Sequence, residues 1–148
     1  MQPPKVLPTR IIGIDYGLAR IGIAVSDESK TIARALMTVS AERKLELTVS
    51  KLTDLLAADA KKNGYAIAEI IIGLPLHMSG RRGVIADEVV LFANLIGLKS
   101  GLSVQLWDER LTSVQAERSM LEANLSRKKR AQKIDAVAAI LILQSYLD

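Results

Sequence analysis

The chain contains no cysteine, which excludes disulfides, thiolate metal sites and a thiol nucleophile. Aromatic residues are scarce, with one Trp, three Tyr and one Phe among 148 residues, so aliphatic side chains must fill the core. The longest apolar run, residues 136–143, is far shorter than the roughly 18 residues that a membrane span needs. We therefore expect a cytoplasmic protein that does not bind membranes.

The length of 148 residues favours a single domain. A domain of this size buries roughly 70% of its unfolded surface, so its core needs no disulfide or metal. The first residues, MQPPKVLPTR, lack the apolar segment of a targeting signal. We expect residues 1–9 to be a lead-in and residues 10–148 to form one domain.

Apolar periodicity predicts an order of three strands, helix, strand, helix, strand and two helices. Residues 11–15 and 21–26 are apolar runs joined by YGLAR, which suits a hairpin, and a third strand falls within residues 30–39. The later elements are predicted as follows: a helix from Leu45 to the Asn-Gly pair at 63–64, a strand at 69–75, a helix at 83–97 ended by Gly97, a strand at 102–107, a helix begun by Thr112 and a helix from about Ile134 to Tyr146.

This order predicts a mixed α/β sheet covered by helices. The closely spaced opening strands should be antiparallel, and the later strands, which alternate with helices, should be parallel.

Four acids occupy positions that a purely structural role explains poorly. Asp15 ends the first strand, Asp108 and Glu109 follow the last strand, and Asp135 lies in the final helix. If the first strand is central, these positions can meet at one edge of the sheet. Gathered carboxylates repel one another, so such a cluster is costly unless a cation fills it.

An all-oxygen cluster suits Mg²⁺ or Mn²⁺ rather than zinc, because the chain has no Cys and one His. Two such ions ~3.5–4 Å apart can activate water and stabilise the leaving oxygen in phosphodiester cleavage.

Each acid also has a simpler interpretation. Asp15 could satisfy backbone amides in the turn at Gly17, and Asp135 could be a first-turn acid favoured by the helix dipole. Asp108 and Glu109 are neighbours, so strand alternation aims at most one of them into a single site.

The cations are clustered, although the net charge is only +4. Residues 127–133 contain no acid and five cations: Arg127, Lys128, Lys129, Arg130 and Lys133. Such a cluster can follow a phosphate backbone, and it can equally be a solvated loop or helix start. Arg20, in the turn after Asp15, is a second candidate phosphate contact.

Four motifs together carry a resemblance to a known family. In chain order they are GIDYGLARIGIAVSD, EIIIGLPL, DERLTS and KIDAVAAILILQSYL. With these motifs the chain, from Arg10 onward, resembles the YqgF/RuvX family of RNase H-like proteins. That family is described as Holliday junction resolvases, and it is now usually assigned to 5′-end processing of the small-subunit rRNA precursor.

The resemblance implies an RNase H-like fold and a metal-dependent nuclease. It makes Asp15, Glu109 and Asp135 the catalytic metal ligands, with Asp108 a lesser candidate. Arg110 would then brace the adjoining loop or contact phosphate, and the basic residues before Asp135 would hold the substrate backbone.

One loop departs from the family pattern, which commonly reads GLPLNMDG where this chain has GLPLHMSG. His77 and Ser79 replace the usual Asn and acid, so we transfer no catalytic role to this loop. Arg81 and Arg82, which follow it, are expected to be exposed on the substrate side.

RNA is the expected substrate, handled by a monomer or weak homodimer, because the sequence marks no dimer surface. Branched DNA is the alternative, and a junction resolvase would need a symmetric dimer. A non-catalytic RNA-binding module is a further alternative. Sugar kinases and chaperone ATPases also open with an Asp-x-Gly hairpin, but they use two such units and this chain shows one.

Overall fold

The computed structural model describes residues 6–112 and 127–148, with side chains for residues 6–112 and 136–148. Within these residues five strands form one sheet in the spatial order β3-β2-β1-β4-β5. The strands are β1 (Thr9–Asp15), β2 (Arg20–Ser26), β3 (Ala33–Ser40), β4 (Ala66–Leu74) and β5 (Val104–Asp108). The first three pair antiparallel, whereas β4 pairs parallel with both β1 and β5. The predicted mixed α/β class is confirmed.

Helices cover both faces of the sheet. They are α1 (Leu45–Asn63), α2 (Val84–Ser100) and α3 (Arg127–Leu147), and a short 3-10 turn spans Glu109–Leu111. Helices α1 and α2 pack on the face that carries Ile12 and Ile14, and α3 packs on the opposite face, which carries Ile11 and Ile71. Among the described residues no helix is both long enough and apolar enough to cross a bilayer.

Two predicted helix ends are wrong. Helix α2 continues past Gly97 to Ser100, because Gly101 (φ 71°) supplies the left-handed C-terminal cap. Helix α3 begins at Arg127 rather than near Ile134, because Arg, Lys, Ala and Gln are all good helix formers. The basic run therefore lies inside α3. The helix predicted to begin at Thr112 falls in residues 113–126, outside the described residues.

Three consecutive side chains fasten the C-terminal end of α3 to three different strands. Gln144 accepts from the Ala33 amide and donates to the Thr31 carbonyl, each at 2.9 Å. Ser145 accepts from the Trp107 indole at 3.1 Å, and Tyr146 donates to Glu69 at 2.6 Å. These bonds fix the position of the helix along the sheet.

The end of α3 thus lies at the beginning of β1, since Glu69 pairs with Ile11. One turn earlier, Leu143 lies over Gly13. Helix α3 therefore runs antiparallel to β1, and its earlier turns approach the edge where β1 ends.

Replacing Gln144 by Ala removes its bonds to the Ala33 amide, at the start of β3, and to the Thr31 carbonyl just before it. We expect a loss of about 1–2 kcal/mol in the free energy of unfolding, since each net hydrogen bond contributes about 0.5–1.5 kcal/mol. Urea denaturation measures this change, and Gln105→Ala, at an exposed position in β5, is the control. Equal losses in the two variants would contradict the fastening role of Gln144.

Candidate functional site

Asp15 lies at the end of the central strand and is 4% exposed. Alternation along β1 places it on the α3 face, together with Ile11 and Gly13. Its partner on β2 is Gly22. On β4 the register Ile14↔Ile72 places Gly73 beside it. Asp15 is thus flanked on both sides by residues without side chains, which lets groups from neighbouring elements approach the sheet closely here.

Glu109 extends over one of these glycines. Its Cγ and Oε2 atoms both lie 3.1 Å from the position that a Cβ atom on Gly73 would occupy. Because Gly73 has no side chain, the carboxylate can lie over β4, the strand between β5 and β1. The structure therefore brings Asp15 and Glu109 together on one face and at one edge of the sheet.

Asp108 has a different partner. Its carboxylate accepts from the Arg110 side chain at 2.6 and 3.0 Å and from the Arg110 backbone amide at 2.9 Å. Hydrogen bonding from Arg110 lowers the pKa of Asp108 below its ordinary value. The lowered pKa keeps Asp108 charged to a lower pH than an ordinary Asp, and Asp108 is used in holding Arg110.

Asp135 belongs to the part of α3 whose side chains lie outside the described residues. Its backbone lies one turn before Ala139, whose carbonyl oxygen is 3.3 Å from the Cβ position of Gly13. Since α3 runs antiparallel to β1, that turn lies toward the Asp15 edge. The first-turn interpretation of Asp135 is wrong, because the helix begins at Arg127.

The donors that the structure describes are carboxylate oxygens, which suit a hard divalent cation. Among the described side chains no group of three His, Asp or Glu residues forms a metal site. The third predicted ligand, Asp135, lies outside those side chains. Asp15 and Glu109, on one face of the sheet and beside Gly73, supply oxygen donors that fit a divalent ion with additional ligands from water or α3.

The predicted phosphate contacts occupy two positions. Arg20 begins β2 on the α3 face, since Ala24 of the same strand packs there. The tight turn before it brings Gly17 against the Arg20 carbonyl. The five cations of the basic run lie in the first two turns of α3, and their side chains are outside the described residues: Arg127, Lys128, Lys129, Arg130 and Lys133.

Arg110 and the loop after β4 are in contact. Its Nη1 atom donates to the Met78 carbonyl at 3.3 Å, so Arg110 braces this loop.

His77, in the same loop, is exposed, and its Nε2 atom lies 3.1 Å from the Cβ position of Gly83. Arg81 and Arg82 are exposed as expected, and Arg82 lies 3.5 Å from Asp87.

Comparison with known proteins identifies the family. The model of the family described as RuvX, Holliday junction resolvase, matches residues 9–148. A protein of Protochlamydia amoebophila, provisionally named a pre-16S rRNA nuclease, is 54% identical over 144 residues, covering 97% of this chain and 96% of its own length. A relative of the same name from Clostridioides difficile is 40% identical over 143 residues, with 97% and 96% covered. The chain therefore belongs to the RuvX family, and the resemblance predicted from the four motifs is confirmed.

Solved structures confirm the RNase H-like fold. Thermus thermophilus RuvC in complex with a Holliday junction substrate matches with a TM-score of 0.54 at 15% identity, over 92% of this chain and 91% of that one. The fowlpox virus Holliday junction resolvase matches with a TM-score of 0.52 at 13% identity, over 93% and 97%. At these identities the likeness concerns the fold alone.

Sequence reasoning missed the glycines that flank Asp15. Gly22 and Gly73 each interrupt an apolar strand, and a glycine inside a strand is a known sign of close approach by another group. The salt bridge of Asp108 with Arg110 could also have been suspected from their spacing. The hydrogen bond from Arg110 to the Met78 carbonyl, 32 positions away, could not be predicted from the sequence.

Replacing Gly73 by Ala places a methyl group 2.5 Å from Ile142 Cδ1 and 3.1 Å from Glu109 Oε2. We expect a loss of about 1–3 kcal/mol in stability from overpacking, together with weaker Mn²⁺ binding because Glu109 is displaced. Urea denaturation and calorimetric Mn²⁺ titration measure the two effects.

The matched control is Gly97→Ala in α2, where the added methyl group meets Val104 at an ordinary 3.7 Å. This variant should be as stable as the parent or up to about 1 kcal/mol more stable, as helix propensity predicts. Unchanged Mn²⁺ affinity in a well-folded Gly73→Ala protein would contradict the placement of Glu109.

Proposed function

We propose that the chain is a metal-dependent nuclease that hydrolyses phosphodiester bonds during 5′-end processing of the pre-16S rRNA. The names of its relatives at 54% and 40% identity support this activity. The observation that carries the proposal is the placement of Asp15 and Glu109 on one face of the sheet, with Glu109 over Gly73 beside Asp15, at the edge that α3 approaches. In this proposal the protein acts in the cytoplasm, where the precursor is processed.

Asp15, Glu109 and Asp135 hold Mg²⁺ or Mn²⁺ in this proposal, as a pair of ions. Such ions, when bound, activate water and stabilise the leaving oxygen of a phosphodiester. The buried Asp15 supplies a fixed anchor, since it pairs with Gly22 of β2 and follows Ile14, which pairs with β4. Glu109 approaches from the 3-10 turn, which Thr112 closes by donating to the Glu109 carbonyl at 2.8 Å.

The cations around this edge bind the RNA backbone. Arg20 lies on the same sheet face as Asp15, and the basic run occupies the two turns of α3 just before Asp135. Binding should weaken with salt by a slope of roughly −0.7 per neutralised phosphate. We propose a monomer or weak homodimer, with little sequence preference because aromatic residues for base stacking are few.

A Holliday junction resolvase is the second candidate, favoured by the description of the matching family. Coordinated cutting of two strands requires a symmetric dimer with two sites. The two candidate functions therefore differ both in substrate and in oligomeric state.

The test incubates the purified protein with a pre-16S rRNA fragment and, separately, with a four-way DNA junction. Each reaction contains Mg²⁺, Mn²⁺ or chelator. We expect RNA cleavage with metal, none with chelator, and a loss of at least about 100-fold in Asp15→Asn, as for removal of one strong electrostatic group from an active site.

Asp54→Asn, which removes an exposed acid of α1, is the matched control and should cleave like the parent. Junction cleavage by a dimer would favour the resolvase. Salt-sensitive RNA binding without any cleavage would contradict the nuclease proposal and favour a binding module.

A further inference from the structure

The loop after β4 is a closed hairpin beside the candidate site. Leu76 and Arg82 form an isolated antiparallel bridge. Inside it the His77 amide donates to the Arg81 carbonyl at 2.9 Å, and the Gly80 amide donates to the His77 carbonyl at 2.8 Å. Gly80 has φ of 88°, a conformation that favours glycine. Residues 76–82 are therefore a preformed unit, which we call the β4 hairpin.

Arg110 attaches this hairpin to the end of β5. Two carboxylate oxygens of Asp108 hold the guanidinium through Nε and Nη2, while Nη1 donates to the Met78 carbonyl. The same Nη1 atom is 3.4 Å from the Cβ position of Gly80, so the guanidinium fits closely against the turn. Because Glu109 lies between Asp108 and Arg110 in sequence, the hairpin and Glu109 are positioned by one short segment.

The hairpin presents side chains that the core does not use. Met78 is 83% exposed, and Arg81 and His77 are also exposed. An apolar side chain beside a cation can contact the two parts of a single-stranded nucleic acid, the face of a base and its phosphate. The hairpin emerges from β4 just after Gly73, on which the Glu109 side chain lies.

We propose that the β4 hairpin is a nucleic-acid-binding element, with Met78 and Arg81 as its contacts, and that Arg110 is a positioning residue for it. This inference rests on the proposed nucleic-acid substrate. Two physical reasons assign Arg110 this role. The charge of Arg110 is already neutralised by Asp108. Its planar guanidinium also forms hydrogen bonds in a geometry that the Lys ammonium cannot reproduce.

Asp108→Asn separates the positioning role of Arg110 from direct phosphate contact, because the two roles predict changes of opposite sign in RNA affinity. If Arg110 contacted phosphate, removing the nearby negative charge would strengthen RNA binding. If Arg110 positions the hairpin, the weaker hold on the guanidinium should weaken RNA binding about two- to tenfold, the cost of ordering a loosened element.

Arg110→Lys gives a second, independent comparison. Lys keeps the charge, so a phosphate contact would largely persist. In the positioning role Arg110→Lys should bind RNA as weakly as Arg110→Gln. Hydrogen exchange of the His77 and Gly80 amides should also become faster in both variants, since these amides make the hydrogen bonds that close the hairpin.

The binding contacts are tested by Arg81→Gln and Met78→Ser. Arg81→Gln should reduce the salt slope of binding by about 0.7, the value for one phosphate on a single strand. Met78→Ser should lower affinity without changing that slope. Arg34→Gln, an exposed arginine of β3 at the far end of the sheet, is the control and should leave affinity nearly unchanged.

All measurements use a fluorescently labelled single-stranded RNA in chelator, with every variant made in the Asp15→Asn protein so that cleavage cannot contribute. Circular dichroism melting checks that each variant is folded. Stronger binding by Asp108→Asn, or parent-like binding by both hairpin variants, would overturn the inference while leaving the nuclease proposal intact. An absence of RNA binding by Asp15→Asn itself would overturn both.

Discussion

The close contact of α3 with the two central strands is the constraint on which the rest of the structure depends. At Gly13 an added Cβ would lie 2.6 Å from Leu143 Cβ, and at Gly73 it would lie 2.5 Å from Ile142 Cδ1. Any other residue at these positions would push the helix outward or force it to shift. The glycines thus set where α3 lies, and the same lack of a side chain at Gly73 gives Glu109 its place above the sheet.

Asp108 and Glu109 are adjacent in sequence, yet the backbone directs their side chains to different partners. Glu109 lies over Gly73 toward Asp15, whereas Asp108 holds Arg110 and through it the β4 hairpin. The two carboxylates differ in position by one residue, yet one has a cation of the protein as its partner and the other faces the candidate metal site. A carboxylate paired with Arg is a weaker metal ligand for that reason, so Asp108 is better suited to holding Arg110 than to binding a divalent cation.

Much of this arrangement follows from sequence. Apolar periodicity predicted the element order, and strand alternation predicted that at most one acid of the Asp108–Glu109 pair would point into a single site. The start of α3 was missed, because the apolar pattern begins only near Ile134, although the basic residues before it are good helix formers. The bonds of Gln144, Ser145 and Tyr146 to three strands could not be predicted, since they depend on how a packed helix meets residues up to 113 positions away.

The central claim is that Asp15 and Glu109 are ligands of one divalent metal site above Gly73. Anomalous diffraction from crystals soaked in Mn²⁺ tests it most directly, because the signal locates the ion without reference to activity. The account predicts an anomalous peak within coordination distance of both carboxylates, and its loss in crystals of Asp15→Asn. A peak elsewhere, or none at this edge in well-ordered crystals, would contradict it.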